Sequence, residues 1–314
     1  ERSVEANIVS YNMLAKARAR ALGPASAGER GLAQAHDLLT ELRHRALEPD
    51  AVTYNTLLAA RAEARDPEGA EALLRELHNS ALEPTAVSCA AVVRAHARSR
   101  DPEGARRALL EMEAQGVETN LVCYNTLLEA SAAAGRTAEA RELFDMMAAK
   151  GHTPDVISCN TLMKAHVKAS DPAGAAGVFE ELRRRELRPD VVSYSLLISV
   201  QGKGASEEGA AKAVSLLEEM QRRQLRPNLT VFNAVLKAHA RAADAHGASA
   251  LLARLPRERL KPDVLSHTAV IEAFASNADP AGAQAAFDSM CLARVQPDRV
   301  SFRALARARR HMDG

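Results

Sequence analysis

The segment AVTYNTLLAA at residues 51–60 decides the fold, because versions of it return along the whole chain at near-constant spacing. It reappears as LVCYNTLLEA from Leu121 and as VISCNTLMKA from Val156. Weaker copies start at Ala86, Leu229 and Val264. Steps of 35 residues dominate. A fixed period of roughly 20 to 50 residues is the signature of a repeat architecture, so the chain is an array of similar units.

Eight units are predicted, each starting just before its copy of the segment. They occupy residues 8–50, 51–85, 86–120, 121–155, 156–190, 191–228, 229–263 and 264–298. Residues 1–7 are a flank, and 299–314 are a partial ninth repeat or C-terminal cap. The first unit has eight extra residues around Gly23–Gly31 and the sixth has three around Gly202–Gly209. We expect both to be loop insertions between helices, since they are rich in Gly, Ala or Ser.

Each unit is predicted to contain two helices. In the second unit Val52, Asn55 and Ala59 share one helical face. Asp66-Pro67 then predicts a second helix, with Asp as N-cap and Pro at the first helical position. The dipeptide recurs at Asp101, Asp171 and Asp279. A small residue follows in the second helix and lets the helices approach closely; these are Ala70, Ala105, Ala140, Ala175, Ala248 and Ala283.

Two helices of this length cannot bury a core alone, so successive pairs are expected to stack with a groove along one face. The predicted fold class is all-α: an α-solenoid superhelix of helix-turn-helix repeats of about 35 residues. The four Cys lack a C-x-x-C pair, which argues against structural zinc, iron–sulfur ligation and a disulfide framework. No membrane-spanning stretch is present, and the net charge is only +1, so any nucleic-acid binding depends on local arrangement.

The 35-residue period, the Val-x-Tyr-Asn-Thr-Leu opening and the closing Leu-x-Pro-Asp together resemble the pentatricopeptide repeat family. The closing motif is present at Leu47–Asp50, Leu187–Asp190 and Leu260–Asp263, and the resemblance covers residues 8 to about 314. Proteins of this family bind single-stranded RNA in mitochondria or chloroplasts, typically one base per repeat. The resemblance therefore implies an organellar RNA-binding protein. Because the chain begins at Glu1 rather than Met, we expect a targeting peptide to lie outside it.

The resemblance also implies which residues read a base: the one after the Tyr position together with the one that closes the repeat. The uracil-type pairs are Asn12 with Asp50, Asn125 with Asp155, Asn160 with Asp190 and Asn233 with Asp263. Asn55 with Thr85 implies a pyrimidine, Ser195 with Asn228 adenine, and Thr268 with Asp298 guanine. Ala90 with Asn120 departs from the pattern, since a methyl group cannot hydrogen-bond a base. The implied order is U, pyrimidine, any base, U, U, A, U, G.

The resemblance further implies an aliphatic wedge, three positions before each reading residue, that packs against the base. These residues are Val9, Val52, Val87, Val122, Ile157, Val192 and Leu265, whereas the seventh unit has Thr230. An Asn amide suits the edge of uracil because it offers both a donor and an acceptor, with the Asp holding its orientation. The competing interpretation is that these Asn residues only cap or bond locally near helix starts. Five Asn residues at one repeat position favour base reading.

Basic residues gather on the same face, seven and eleven positions after the wedge. They are Lys16, Arg20, Arg94, Arg98, Lys164, Lys168, Lys203, Lys237 and Arg241, against the acids Glu63, Glu129 and Glu272. Ordinary solvated helix residues would show no such sorting, so these cations are predicted to bind phosphates.

No catalytic residue, metal site, cofactor or small-molecule substrate is expected. His96, His166 and His239 occupy equivalent repeat positions, which indicates packing rather than chemistry. The favoured function is sequence-specific, non-enzymatic single-stranded RNA binding in organellar RNA processing, stability or translation. One alternative is a scaffold subunit of a ribonucleoprotein such as an organellar ribosome, without base readout. Another is an enzyme whose catalytic domain lies beyond Gly314 or before Glu1.

Overall fold

The computed structural model describes residues 8–9, 12–14, 17, 39–45, 47–204 and 206–310. Within these ranges all regular secondary structure is helical. The first helices of repeats two to eight, and the helix of the ninth unit, are α1 (Ala51–Glu63), α3 (Ala86–Arg98), α5 (Leu121–Ala134), α7 (Val156–Ala169), α9 (Val191–Gln201), α11 (Leu229–Arg241), α13 (Val264–Ser276) and α15 (Arg299–Arg310).

The second helices complete the pairs. They are α2 (Pro67–Asn79), α4 (Pro102–Ala114), α6 (Thr137–Ala149), α8 (Pro172–Arg184), α10 (Glu207–Arg222), α12 (Ala245–Arg254) and α14 (Pro280–Leu292). A short 3-10 helix, Leu255–Glu258, follows α12, and residues 39–44 of the first repeat are also helical. Among the described helices none is long and apolar enough to cross a membrane.

The chain divides into two compact units, Glu1–Pro154 and Asp155–Gly314. In the first unit α1 packs on α3 and α3 on α5, while each also packs on its own second helix. The second unit repeats this arrangement from α7 to α15. The predicted fold class, an all-α solenoid of helix pairs, is therefore confirmed in each unit. The division into eight repeats stays a prediction from the sequence.

Four second helices, α2, α4, α8 and α14, start at the Asp-Pro positions, as predicted. Asp101 is the N-cap of α4, and its carboxylate accepts the backbone N–H of Gly104 at 2.9 Å. The ring of His96 also bonds this carboxylate, at 2.9 Å from Nδ1. A Cβ at Gly104 would lie 2.0 Å from the Asp101 carboxylate, so the position requires glycine. His166 and His239 make the equivalent contact with the N-cap residues Asp171 and Asp244, at 2.9 and 2.8 Å from Nδ1.

Small side chains bring the paired helices together. The six predicted alanines, from Ala70 to Ala283, are each 0% exposed. Tyr54, Tyr124 and Tyr194 are also buried, and Phe232 takes their place in the seventh repeat. Buried alanines let the helices approach closely, and the buried aromatic rings pack in the layer between them.

The insertion in the sixth repeat differs from the loop that the sequence predicted. Helix α9 ends at Gln201, and residues 202–204 form a turn before Ser206 caps α10. Helix α10 begins with Glu207 and has 16 residues, whereas the four second helices that begin with Pro have 13 each. The extra residues therefore lengthen a helix as well as a turn, because Glu207 and Glu208 suit the first turn of a helix. The Gly23–Gly31 insertion lies outside the described residues.

A cavity of about 630 Å³ lies in the second unit, against α12, α13 and α14. Its wall includes His267, at the repeat position that Tyr54, Tyr124 and Tyr194 occupy elsewhere. The imidazole is 4% exposed, and neither ring nitrogen has a hydrogen-bond partner within the described structure. Burial lowers the pKa of His267, against the opposing charge of Asp263, so the ring is held neutral.

Candidate nucleic-acid interface

A row of aliphatic side chains projects into solvent from the first helices. Each stands at the second residue of its helix, or at the matching position of the first repeat, and is between 52% and 63% exposed; they are Val9, Val52, Val87, Val122, Ile157, Val192 and Leu265. Thr230 is exposed at the matching place in α11. Valine, leucine and isoleucine gain about 1.5–3 kcal/mol on burial. The repeated exposure of one position therefore leaves an apolar surface in each unit that a ligand can cover.

One further aliphatic residue belongs to this row and was not among the predicted wedges. Val300 is the second residue of α15 and is 45% exposed. Continuing the 35-residue step from Leu265 to Val300 would have identified it.

Three predicted uracil-type pairs are joined by direct hydrogen bonds. Asn160 Nδ2 donates to Asp190 Oδ1 at 3.1 Å, and Asn233 Nδ2 donates to Asp263 Oδ1 at 3.1 Å. The Asn12 amide donates to Asp50 Oδ1 at 3.2 Å. Asn12 and Asn160 lie one helical turn after the exposed Val9 and Ile157, whereas Asn233 follows Thr230. In the first and fifth repeats the carboxylate thus orients an amide one turn from an apolar side chain.

A third residue, which the sequence analysis missed, completes each group. The hydroxyl of Ser193 donates to Asn160 Oδ1 at 2.7 Å. Ser266 donates to Asn233 Oδ1, and Thr53 to Asn12 Oδ1, also at 2.7 Å. This hydroxyl belongs to the third residue of the following first helix, where the sequence repeats Ser or Thr. That repetition was the available signal.

The aspartates of these groups are ionised carboxylates. Burial acts to raise the pKa of Asp190, but the N–H and hydroxyl of Ser193 and the Asn160 amide outweigh it, and the net pKa is lowered. The pKa values of Asp50 and Asp263 are lowered in the same way. A carboxylate only accepts hydrogen bonds, so it selects the N–H side of the neighbouring amide. The amide keeps one N–H and one oxygen lone pair for a further partner.

The closing residues have a second role as helix caps. Asp190 is the N-cap of α9 and accepts the backbone N–H of Ser193 at 2.8 Å. Asp50, Asp155 and Asp263 cap their helices in the same way. The capping interpretation thus holds for the closing residues. It does not hold for Asn160 and its equivalents, which lie inside their helices.

The remaining predicted pairs are arranged differently. Asn55 Oδ1 accepts from Ser88 Oγ at 2.7 Å, and Ser88 lies 3.4 Å from the hydroxyl of Thr85. Thr268 is 4% exposed and shares a 2.8 Å hydrogen bond with Ser301, which in turn donates to Asp298.

In two repeats the side-chain oxygen of the closing residue accepts hydrogen bonds from backbone N–H groups at the start of the next helix. Asn120 Oδ1 accepts the backbone N–H groups of Val122 and Cys123, and Ala90 beside it is only 6% exposed. Asn228 Oδ1 accepts the N–H of Val231 at 3.0 Å, while Ser195 is half-buried. The two residues of the last pair belong to different units. Asn125 is half-buried in α5, and Asp155 caps α7.

The predicted phosphate-binding cations fall into four groups. Lys164, Lys168 and Lys237 have exposed side chains on their first helices, and Arg94 is half-buried. Arg98 forms an ion pair with Glu63. Lys16 and Arg20 lie outside the described residues.

Lys203 and Arg241 contact backbone carbonyls. Arg241 donates to the carbonyl of Gly202 at 2.9 Å, and Lys203 donates to that of Val167. Lys203 was expected along a helix but lies in the turn after α9, because that helix ends at Gln201 before Gly202. The positive charge is therefore spread less evenly than the spacing implied. Of the acids, Glu129 is exposed and Glu272 half-buried.

No cluster of three or more metal-ligating side chains occurs among the described residues. Cys89, Cys123 and Cys159 are buried, and Cys291 is exposed. The described side chains at the predicted reading, wedge and cation positions thus offer hydrogen-bonding amides, exposed aliphatic groups and positive charges.

Comparisons with solved structures find the same fold. PPR10, a pentatricopeptide repeat protein in complex with an 18-nt psaJ RNA element, aligns with 99% of this chain at 21% identity and a TM-score of 0.64. A triple cysteine-to-serine variant in the same complex gives the same values. PPR10 from maize aligns at 19% identity with a TM-score of 0.42, covering 99% of this chain and 59% of its own. The chain spans half the length of the PPR10 chains in the RNA complexes.

Sequence comparison identifies the family directly. No curated protein matches the sequence significantly. The family model of the pentatricopeptide repeat domain matches residues 37–99, 107–169 and 215–277, which is more than half of the chain. Models of the PPR repeat family and the PPR repeat match residues 154–200 and 87–117. The chain therefore belongs to the pentatricopeptide repeat family.

Proposed function

We propose that this protein binds single-stranded RNA in a sequence-selective way, with one base at each repeat. The observation that carries the proposal is the recurrent pairing of an exposed aliphatic residue with an oriented amide, as in Ile157 and Asn160. The RNA complexes of PPR10, which share the fold, support the same assignment.

The physical basis is stacking combined with edge recognition. An unstacked base covers the aliphatic side chain and removes apolar surface from water. The free N–H and lone pair of the Asn160 amide match an edge that offers one acceptor and one donor, as uracil does. The predicted order, from the first repeat, is U, pyrimidine, any base, U, U, A, U, G. Ala90 provides no hydrogen bond, so the third repeat accepts any base.

Phosphates follow the cations of the first helices. Lys164, Lys168 and Lys237 are exposed on the same helices as the reading positions. Neutralising phosphates releases counterions, so the affinity falls as salt rises, with a slope of about 0.7 per phosphate for single strands. Arg98 forms an ion pair with Glu63, so this pair must open before Arg98 can neutralise a phosphate.

In this proposal the protein acts by binding RNA, without catalysis and without a cofactor. It holds an RNA segment of about eight nucleotides single-stranded, one per repeat, which can block a nuclease or expose a site for processing or translation. A mitochondrial or chloroplast location is proposed from family membership.

A second candidate is a scaffold in a ribosome or other ribonucleoprotein. It is favoured by the buried Ala90 and by the near-neutral total charge. A scaffold would copurify with its assembly at fixed stoichiometry and would bind free RNA without base preference.

Selection from a randomised single-stranded RNA pool tests the proposal. Enrichment of U-Y-N-U-U-A-U-G in that order and polarity supports base reading at each repeat. A matched selection with Ser195→Asn and Asn228→Asp together should change only the sixth position, from A to U. Undetectable or sequence-blind binding at physiological salt refutes the proposal and favours the scaffold.

A further inference from the structure

We infer that the hydroxyl at the third residue of each following first helix is a positioning residue for base readout. The inference rests on the proposed RNA binding. It makes the reading group a triad of amide, carboxylate and hydroxyl, in which the hydroxyl sets the discrimination between uracil and cytosine.

Ser193 shows the geometry most completely. Its side chain is 0% exposed and lies 2.7 Å from Asn160 Oδ1 and 2.9 Å from Asp190 Oδ1. Its oxygen also accepts the backbone N–H of Asp190 at 3.2 Å. Asp190 Oδ1 already receives the N–H of Ser193 and the amide of Asn160. The single hydroxyl proton therefore has its shortest contact with the amide oxygen, which would otherwise lack a donor on that side.

Carboxylate and hydroxyl together determine which way the amide faces. If the amide turned over, its oxygen would meet the Asp190 carboxylate and its NH₂ would meet Ser193. The turned amide presents the base with its donor and acceptor exchanged. Uracil and cytosine differ in that same exchange along their pairing edges, so the direction of the amide selects between them. Removing the hydroxyl removes one of the two constraints on that direction.

The sequence carries the same association. The five Asn readers are each followed, in the next repeat, by a hydroxyl residue: Thr53, Ser88, Ser158, Ser193 and Ser266. The two readers with neither Asn nor Thr, Ala90 and Ser195, are followed by Cys123 and Val231.

Helix capping alone does not account for this association. Asn120 and Asn228 cap α5 and α11 at 3.0 Å although the third residue of each helix has no hydroxyl. A hydroxyl at this position is therefore dispensable for the helix start, and it occurs with every Asn reader.

The first test compares Ser193→Ala with wild type on two RNAs that carry U or C opposite the fifth repeat. Loss of one hydrogen bond to the amide is expected to reduce the U-over-C preference by about two- to tenfold. Ser193→Thr restores the hydroxyl and should restore the preference.

The matched control is Ser206→Ala. Ser206 caps α10 by accepting the N–H of Gly209 at 3.1 Å, beyond the other end of α9. Its loss should lower the unfolding temperature to a similar extent and leave the preference unchanged. A preference that Ser193→Ala leaves intact overturns the inference.

The second test builds the triad where it is incomplete, and so does not depend on the stability of Ser193→Ala. Ser195→Asn with Asn228→Asp gives the sixth repeat an Asn–Asp pair beside Val231. Adding Val231→Ser should increase the U-over-C preference there by about two- to tenfold over the double variant. Equal preferences in double and triple variants overturn the inference while leaving base reading in place. A wild type without base preference at the fifth repeat overturns the proposed function as well.

Discussion

Replacing Asn160 with alanine is the sharpest test of base reading, because the structure separates its effect on folding from its effect on RNA. Asp190 and Ser193 keep their mutual contacts of 2.8 and 2.9 Å without the amide, so α9 remains capped. Alanine is also a better helix former than asparagine, by a few tenths of a kcal/mol. We therefore expect the free energy of unfolding to change by less than about 1 kcal/mol.

The expected loss in RNA affinity follows from the bonds available to a base. The Asn160 amide has one N–H and one lone pair left after its bonds to Asp190 and Ser193. Two hydrogen bonds at about 0.5–1.5 kcal/mol each give a loss of about 1–3 kcal/mol for RNA with U at the fifth position. The exposed Ile157 remains to pack on the base, so binding is weakened and not abolished.

Fluorescence anisotropy with four RNAs that differ only at the fifth position measures this loss. The affinity for the U-containing RNA should fall to the level of the others, which should change little. The paired variant Lys237→Gln, at an exposed cation, should weaken all four RNAs alike and reduce the salt slope by about 0.7. If Asn160→Ala weakens all four RNAs equally, the amide does not read the base and the reasoning is wrong.

Three further outcomes are expected. His267→Phe should raise the free energy of unfolding by about 1–2 kcal/mol, since it removes two unpartnered buried nitrogens and adds apolar surface to the cavity wall. Because the pKa of His267 is lowered, wild type loses stability as pH falls below about 6.5, and the variant should lack this loss; urea unfolding on both sides of that pH measures the difference. The folded pKa of Asp190 lies below the unfolded value of about 3.9, so its contribution to stability is complete above that pH and is lost as pH falls through the folded pKa. Asp190→Asn should therefore weaken the fall of the free energy of unfolding at acid pH, measured by urea unfolding. An unchanged fall would contradict the assigned shift. Glu63→Gln should release Arg98 and steepen the salt dependence of RNA binding by about 0.7, whereas Glu111→Gln, at an exposed acid on a second helix, should have no effect.

The repeat made much of the architecture predictable. Because the same helix starts, small residues and exposed aliphatic positions recur, each was supported by several copies, and Asp101-Pro102 or Val192 could be interpreted from their equivalents. The structure confirms the helical solenoid in each unit, and the division into repeats and the roles of the reading residues stay predictions. Features without equivalents were harder: the turn that displaces Lys203 depends on Gly202, and the Arg98–Glu63 ion pair depends on two side chains in different repeats.

The hydroxyl of Ser193 was missed for a different reason. This hydroxyl also accepts the backbone N–H of the capping residue Asp190, so helix capping offered a local explanation for a Ser at this position. Only the spatial arrangement shows that the amide of the reading residue in the preceding repeat, Asn160, lies 2.7 Å away.

The double role of the closing residues limits the vocabulary of the array. Every closing position whose side chain is described has Asp, Thr or Asn, and all three are among the residues that start helices best. A residue that read a base well but capped poorly would cost about 0.5–2 kcal/mol of folding free energy at that repeat. New specificities are thus expected to evolve within a small alphabet set by helix initiation, with larger freedom at the reading position inside the helix, where Asn160, Ser195 and Thr268 already differ.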